Sequence, residues 1–182
     1  MNTVRTVIYD FDGTLFNSPT REQAKTCLNK DFAFEGWWGR PESLLPPVVP
    51  QNPTSEWYIQ HTIEQYRKDA QDQNTKLVLM TGRPIKIRTR VQEICDFYEL
   101  KFHEYYFRGQ KNQKGNDTFE IKCNFITQSI MHEELKVLEI HEDREEHVQG
   151  FIESAKFWKK NYGNLDKIVV HDVVQRHSHD IN

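Results

Sequence analysis

Short apolar runs alternate with longer amphipathic stretches along this chain. Val7-Ile8-Tyr9, Lys76-Leu77-Val78-Leu79-Met80, Tyr105-Tyr106-Phe107, Val137-Leu138-Glu139-Ile140-His141 and Ile168-Val169-Val170 are β-branched or aromatic in character, as buried strands are. Between them, apolar residues recur at the helical period: Ile59, Ile63, Tyr66 and Ala70; Ile87, Val91, Ile94 and Tyr98; Phe119, Cys123, Ile126 and Ile130; Val148, Phe151, Ile152 and Ala155. Start signals stand where these helices need them. Asn52-Pro53 predicts a helix running to about Gln73, Pro84 opens the next, and Asp117 with Glu120 three residues on forms a capping box. A short helix is expected over Arg21 to Lys30. Glu64, Lys68 and Asp72 face water on the first long helix, as do Lys86, Arg88 and Arg90 on the second. Strands and helices in alternation predict an α/β fold, a parallel sheet between two helix layers with right-handed crossovers.

The alternation breaks in two places. Residues 31–52 carry Gly36-Trp37-Trp38-Gly39-Arg40-Pro41 and Leu44-Leu45-Pro46-Pro47, too rich in glycine and proline for regular structure. We read 15–52 as a small lid inserted after the first strand. Trp37 and Trp38 either pack beneath it or present a ring to a substrate base or ribose. The second break, residues 108–116, holds Arg108, Lys111 and Lys114 and no acid. It is either a solvated loop or a contact for a phosphate backbone.

Composition narrows the class. A chain of 182 residues suits a single domain over 1–182. The net charge of −3 gives no overall basic footprint, so nucleic-acid affinity has to come from a local patch. Cys27, Cys95 and Cys123 are odd in number and widely spaced, as expected of unpaired thiols in a reducing compartment. No apolar run is long enough to span a membrane. The expectation is a soluble, cytoplasmic protein. His171-Asp172 and His177-Ser178-His179-Asp180 close the chain as a tail that either binds a transition metal or, the simpler reading, is loosely held.

The chemistry gathers at strand ends. Asp10 and Asp12 follow the first strand two residues apart, with Gly13 permitting a sharp bend. Carboxylates held that close repel unless a cation sits between them, so the pair predicts a metal. An Asp-Gly turn that merely ends the strand is the simpler alternative. Thr81, Gly82 and Arg83 end the second strand just before a helix N-terminus, a reasonable anion site, although the hydroxyl alone can cap that helix. Lys122 stands alone on its helix, where spacing by itself reads as solvated surface. Glu142 and Asp143 end the fourth strand, with His141, Arg144 and His147 around them.

Asp10-Phe11-Asp12-Gly13-Thr14 after an apolar strand resembles the first motif of the haloacid dehalogenase (HAD) superfamily of phosphohydrolases. Thr81 resembles its second motif, Lys122 its third and Glu142-Asp143 its fourth, in the right order. The resemblance, covering about Val4 to Ala155, implies a three-layer Rossmann-like (HAD-like) sheet with the first motif on a central strand. It further implies Mg2+-dependent hydrolysis of phosphomonoesters through an aspartyl-phosphate. Asp10 is then nucleophile and metal ligand, and Asp12 is acid and base with its carbonyl on the metal. Thr81, with Gly82 and Arg83, and Lys122 hold phosphoryl oxygens, with Lys111 and Lys114 as fallback lysines. Asp143 anchors the metal. Glu142 departs from the usual Asp-Asp pair, which leaves the division of labour within this motif open. The stretches DFDGTLF, GWW, TGRP, TFEIK and HEDREEHV are similar to the HAD domain of Swiss Army Knife RNA repair proteins. That narrower likeness implies phosphorylated nucleic-acid ends as substrate, RNA before DNA, with Arg108, Lys111 and Lys114 on the backbone and Trp37 or Trp38 on a terminal base. A repair ligase or kinase partner would be encoded elsewhere. A nucleotide or small-metabolite phosphatase, and a non-catalytic module that binds phosphorylated ends or a repair partner, are the alternatives.

Overall fold

The computed structural model describes residues 5–29, 36–110, 115, 117–132, 135–162 and 164–181. Lys111 and Lys114 lie outside this set. Six strands form one sheet in the order β3-β2-β1-β4-β5-β6. They are β1 (Arg5–Tyr9), β2 (Thr75–Pro84), β3 (Glu104–Arg108), β4 (Val137–Glu142), β5 (Lys167–Asp172) and β6 (His177–Ile181). The first five run parallel and only β6 is antiparallel. The first strand is therefore central, flanked by β2 and β4.

Side chains alternate across this sheet and meet a different helix layer on each face. Val7, Tyr9, Leu77 and Leu79 pack with Ile63 and Tyr66 of α2 (Gln60–Asp69) and with Val91 and Ile94 of α3 (Arg88–Phe97). Ile8, Val78 and Met80 point the other way, toward Ile126 and Ile130 of α4 (Thr118–His132) and Val148, Phe151 and Trp158 of α5 (Glu145–Asn161). This is the expected three-layer Rossmann-like arrangement. No helix among the described residues is long and apolar enough to cross a membrane.

The lid is fastened to the first of these cores. It contains α1 (Arg21–Leu28) and two 3-10 turns, Trp37–Gly39 and Pro41–Leu44. Leu44, Val48, Val49 and Trp37 join the core of the α2 and α3 face. Arg90, expected in water, is buried instead. Its guanidinium donates to the carbonyls of Leu44 (2.9 Å), Gln51 (3.0 Å) and Pro50 (2.8 Å), and so satisfies lid backbone that no strand pairs.

Three further expectations need correction. The helix expected from Asn52 begins only at Gln60, because the chain before it forms a separate 3-10 turn, Ser55–Trp57, whose flanks are bonded to the lid. Asn17 N–H donates to the Trp57 carbonyl at 2.8 Å, and Ile59 N–H to that of Leu15 at 3.0 Å. On α2, Ala70 is exposed at the helix end and Asp69 is buried in its place. Asp69 accepts from Arg5 Nη2 at 2.7 Å and from the Tyr9 hydroxyl at 2.5 Å, while Arg5 Nε reaches Glu139 Oε1 at 2.8 Å. That ionic network outweighs the helical apolar period. Finally, the His-rich tail is no loose end: it forms β6, paired with β5 from Asp172↔His177 to Ile168↔Ile181, and Ile181 buries its side chain.

Candidate active site

Parallel register brings the first- and fourth-strand carboxylates together. Tyr9 pairs with His141, so Asp10 and Glu142 emerge side by side at the C-terminal edge of adjacent strands. Asp10 N–H donates to the His141 carbonyl at 3.1 Å and fixes the exit. Gly13 then turns the chain with φ +73°, and a Cβ there would stand 2.1 Å from Asp143 Oδ2. Its missing side chain is what admits Asp143. One carboxylate oxygen from each of Asp10, Glu142 and Asp143 falls within a 4.8 Å cluster.

Lys122 is 4 % exposed, far from the solvated surface its spacing alone suggested. Its Nζ donates to Asp10 Oδ1 and to Glu142 Oε2, each at 2.7 Å. Burial works against the ammonium, but Asp10 and Glu142 outweigh it and hold Lys122 above its ordinary value. Glu142 answers in kind. Burial pushes its carboxyl up, yet Lys122 and the His147 ring, whose Nδ1 lies 3.3 Å away, leave it well below the usual range. Asp10 and Asp143 go the other way. Burial raises Asp10 well above the usual range; Lys122 opposes this and the neighbouring carboxylates add to it. Asp143 is pushed up to about 7 by burial and by Glu142. The Glu-Asp motif therefore divides its labour. Glu142 pairs with the lysine, while Asp143 is held toward its neutral form by burial and by Glu142.

Asp12 faces the opposite wall. Its Oδ1 accepts from Ser18 Oγ (2.5 Å), Arg83 Nε (2.9 Å) and Arg83 Nη2 (2.6 Å), whereas Oδ2 accepts from Arg83 Nε alone (2.9 Å). Arg83 is 1 % exposed. Its remaining nitrogen, Nη1, donates to the Trp38 carbonyl (3.1 Å) and to Ser43 Oγ (2.7 Å), while the rings of Phe11 and Trp38 flank the guanidinium. All three nitrogens of Arg83 are thus engaged by the protein, and the side chain bridges Asp12 to the lid.

The strand-end hydroxyl accepts a backbone hydrogen bond and keeps its own hydrogen to donate. Thr81 is buried, accepts from the Arg83 N–H at 3.2 Å, and is not among the residues lining the cavity. Gly82 and Thr118 line it instead, so close that a Cβ on Gly82 would meet Thr118 Cγ2 at 2.6 Å. The cavity, about 670 Å³, is walled by Asp10, Asp12, Lys122, Asp143, Thr118 and Trp38, with Arg108 and Arg144 at its rim. The two tryptophans part company. Trp37 is buried, donating its Nε1–H to the Pro19 carbonyl at 3.0 Å, whereas Trp38 is 43 % exposed. Trp37 does not offer a ring to the cavity because the lid uses it as core.

Sequence reasoning missed Ser18, Ser43 and Thr118. Ser18 and Ser43 sit in irregular lid chain with nothing periodic to mark them. Thr118, however, begins a helix whose capping box is plain in the sequence, and a helix N-terminus is a ready place for an anion to dock.

The donor set fits a hard divalent cation. It offers carboxylate oxygens, two of them on groups with a raised pKa, in a cradle that a side chain on Gly13 would fill. Fold and site together define a Rossmann-like α/β domain with a carboxylate and lysine centre at the C-terminal edge of its sheet. The chain belongs to HAD domain family 1 in Swiss Army Knife RNA repair proteins, whose family model matches residues 12–181. The chain is also similar to a chain in the structure of a Pnkp1/Rnl/Hen1 complex, at 15% sequence identity and a TM-score of 0.45. That likeness covers 83% of this chain and 43% of the other, so the chain spans less than half the length of that relative. Among curated proteins, none matches.

Proposed function

We propose that this domain hydrolyses phosphomonoesters with Mg2+, attacking through Asp10, and that its substrates are phosphorylated RNA ends. The observation that carries this reading is the bridge from Lys122 Nζ to Asp10 Oδ1 and Glu142 Oε2, 2.7 Å to each. A lysine so held neutralises a nucleophilic carboxylate and offers a cation to a phosphoryl group docked against it.

In the first half-reaction an oxygen of Asp10 forms a bond to phosphorus, the bond to the leaving oxygen breaks, and Asp12 gives that oxygen a proton. In the second, Asp12 takes a proton from water, whose oxygen attacks phosphorus and frees the Asp10 carboxylate with release of phosphate. Oδ2 of Asp12 carries a single contact and is the oxygen left to exchange a proton with the leaving group and water, while Oδ1 is aimed by Ser18 and Arg83. Asp10, the carbonyl of Asp12 and Asp143 would hold the metal, with Glu142 reserved for Lys122. When bound, Mg2+ draws charge from the phosphoryl oxygens and brings Asp10 and Asp143 to their ionised forms. Gly82, Thr118 and Lys122 line the wall where those oxygens dock. Thr81 supports that wall from behind, and Arg83 is committed to Asp12 and the lid.

RNA ends are favoured by the family's own description and by the thin lid, whose exposed Trp38 leaves the cavity mouth open to a polymer terminus. The domain would then work beside a repair ligase or kinase supplied by another module or chain. A second reading, a module that binds phosphorylated ends without turnover, is favoured by the engagement of Asp12 with Arg83. Phosphate release from 5′- and 3′-phosphorylated oligonucleotides, with and without EDTA, separates the two.

A further inference from the structure

A second cavity of about 500 Å³ opens beside the first and shares Gly36, Gly39 and Arg108 with it. Arg40, Lys86 and Arg108 line it, along with one carboxylate, that of Glu42. Three separate pieces of chain deliver these cations to one place. Arg108 ends β3 and pairs with Pro84 at the end of β2. Lys86 stands two residues past Pro84, in the 3-10 turn Ile85–Ile87. Gly39 closes the corner from the lid side, since a Cβ on it would lie 3.8 Å from both Arg108 Nη2 and Pro84 Cγ, and Arg40 follows it. The lid thus gives alternate residues to the two cavities: Trp38 lines the first and Arg40 the second.

Lys86 and Arg108 are exposed and Arg40 is partly exposed, so this charge is presented at the surface of the concavity and not sealed into the core. Among the described residues, three cations and one carboxylate around a concavity contiguous with the proposed phosphate site favour an anion there.

Resting on the function proposed above, we infer that Arg40, Lys86 and Arg108 bind a second phosphate of the substrate, one that is not cleaved. The substrate class is then a phosphomonoester that carries another phosphate on the same or the neighbouring nucleotide. Two sources share that chemistry: the backbone of a polynucleotide end, and a soluble nucleoside bisphosphate.

The test compares kcat/KM at low salt for a nucleoside monophosphate, the corresponding nucleoside bisphosphate and a terminally phosphorylated trinucleotide. Two or three exposed ion pairs predict a preference of roughly 10-fold for the substrates with a second phosphate. Arg40→Glu with Lys86→Glu, both outside the catalytic cavity, should bring that ratio close to one and flatten its salt dependence, with turnover of a small aryl phosphate unchanged. A trinucleotide that outperforms the bisphosphate assigns the subsite to a polynucleotide backbone; equal preference assigns it to a soluble bisphosphate. A wild-type ratio near one, or a ratio that survives both substitutions, overturns the inference. If no phosphomonoester is turned over, the catalytic reading fails on its own. The same ratio, read then as calorimetric affinities for the wild-type protein, decides the subsite by the same criterion.

Discussion

Arg83 and Asp12 are joined through both carboxylate oxygens, and the same guanidinium holds the lid by the Trp38 carbonyl and Ser43 Oγ. The residue proposed as acid and base is therefore aimed by a side chain that is itself anchored to the lid. Arg83 acts through Asp12, so its loss should resemble a weaker loss of the acid. Arg83→Gln should slow hydrolysis of an alkyl phosphate roughly 100-fold, within the usual range for general acid catalysis. An activated aryl phosphate, whose leaving group needs little protonation, should slow far less. Lysine lacks the planar fork and should restore only part of the activity. Equal losses on the two substrates would show that Arg83 merely supports the fold.

Asp143 contributes a pH dependence to the stability of the metal-free protein. Its folded pKa is raised to about 7 from an ordinary value of 3.8. Between those values the folded state binds more protons than the unfolded one, so this contribution to stability is present at low pH and is lost as pH rises toward 7. In EDTA, Asp143→Asn should leave melting nearly unchanged only below about pH 3.8, the unfolded value, and should already raise it at pH 5. At pH 8 it should raise the Tm by several degrees, since each kcal/mol moves a domain of this size by about 2–4 °C. Mg2+ should stabilise the wild type at pH 8 much more than at pH 5, and the variant little at either. Thermal scans in which the Asp143→Asn variant and the wild type respond to Mg2+ alike would place the ligand elsewhere.

Trp37 and Trp38 make a paired test of the lid. Trp37→Ala empties a buried site and should cost about 3–5 kcal/mol in urea unfolding. Trp38→Ala should cost under about 1 kcal/mol, as exposed substitutions do, yet weaken binding of a phosphorylated oligonucleotide by about 1–3 kcal/mol if a base stacks there. Unchanged oligonucleotide affinity in the Trp38→Ala variant would remove that ring from the substrate path.

Asp69 carries a structural prediction independent of catalysis. Asp69→Ala leaves Arg5 and the Tyr9 hydroxyl without their shared partner and should destabilise the fold. The expected loss is about 2–4 kcal/mol. Activity per folded molecule, measured at low temperature, should hold. A loss below about 0.5 kcal/mol in denaturant, the range of ordinary surface changes, would mean that the network is idle.

Much of this was written in the sequence, and the failures share a cause. The five parallel strands and the carboxylates at their ends were legible because a buried strand must be apolar and because charges at its terminus interrupt that run. Lys122 was legible only through its place in an ordered set of motifs, since nothing local distinguishes a buried lysine from a solvated one. Arg90 was misread, and Asp69 overlooked, for one reason. Each is a charged residue buried by partners distant in sequence, and local periodicity carries no signal of those partners. The β6 strand escaped for a related reason: an edge strand with a polar face to water needs no apolar alternation, only a neighbour to pair with.

The central claim is that Asp10 is the nucleophile of a Mg2+-dependent phosphatase. Its most direct test is phosphate release from a terminally phosphorylated RNA oligonucleotide by wild type and Asp10→Asn side by side. The account predicts release that requires Mg2+ and stops in EDTA, and that falls at least about 1,000-fold in a folded Asp10→Asn protein, because an amide cannot form the aspartyl-phosphate. Release by Asp10→Asn at the wild-type rate, or none by the wild type on any phosphomonoester, would contradict it.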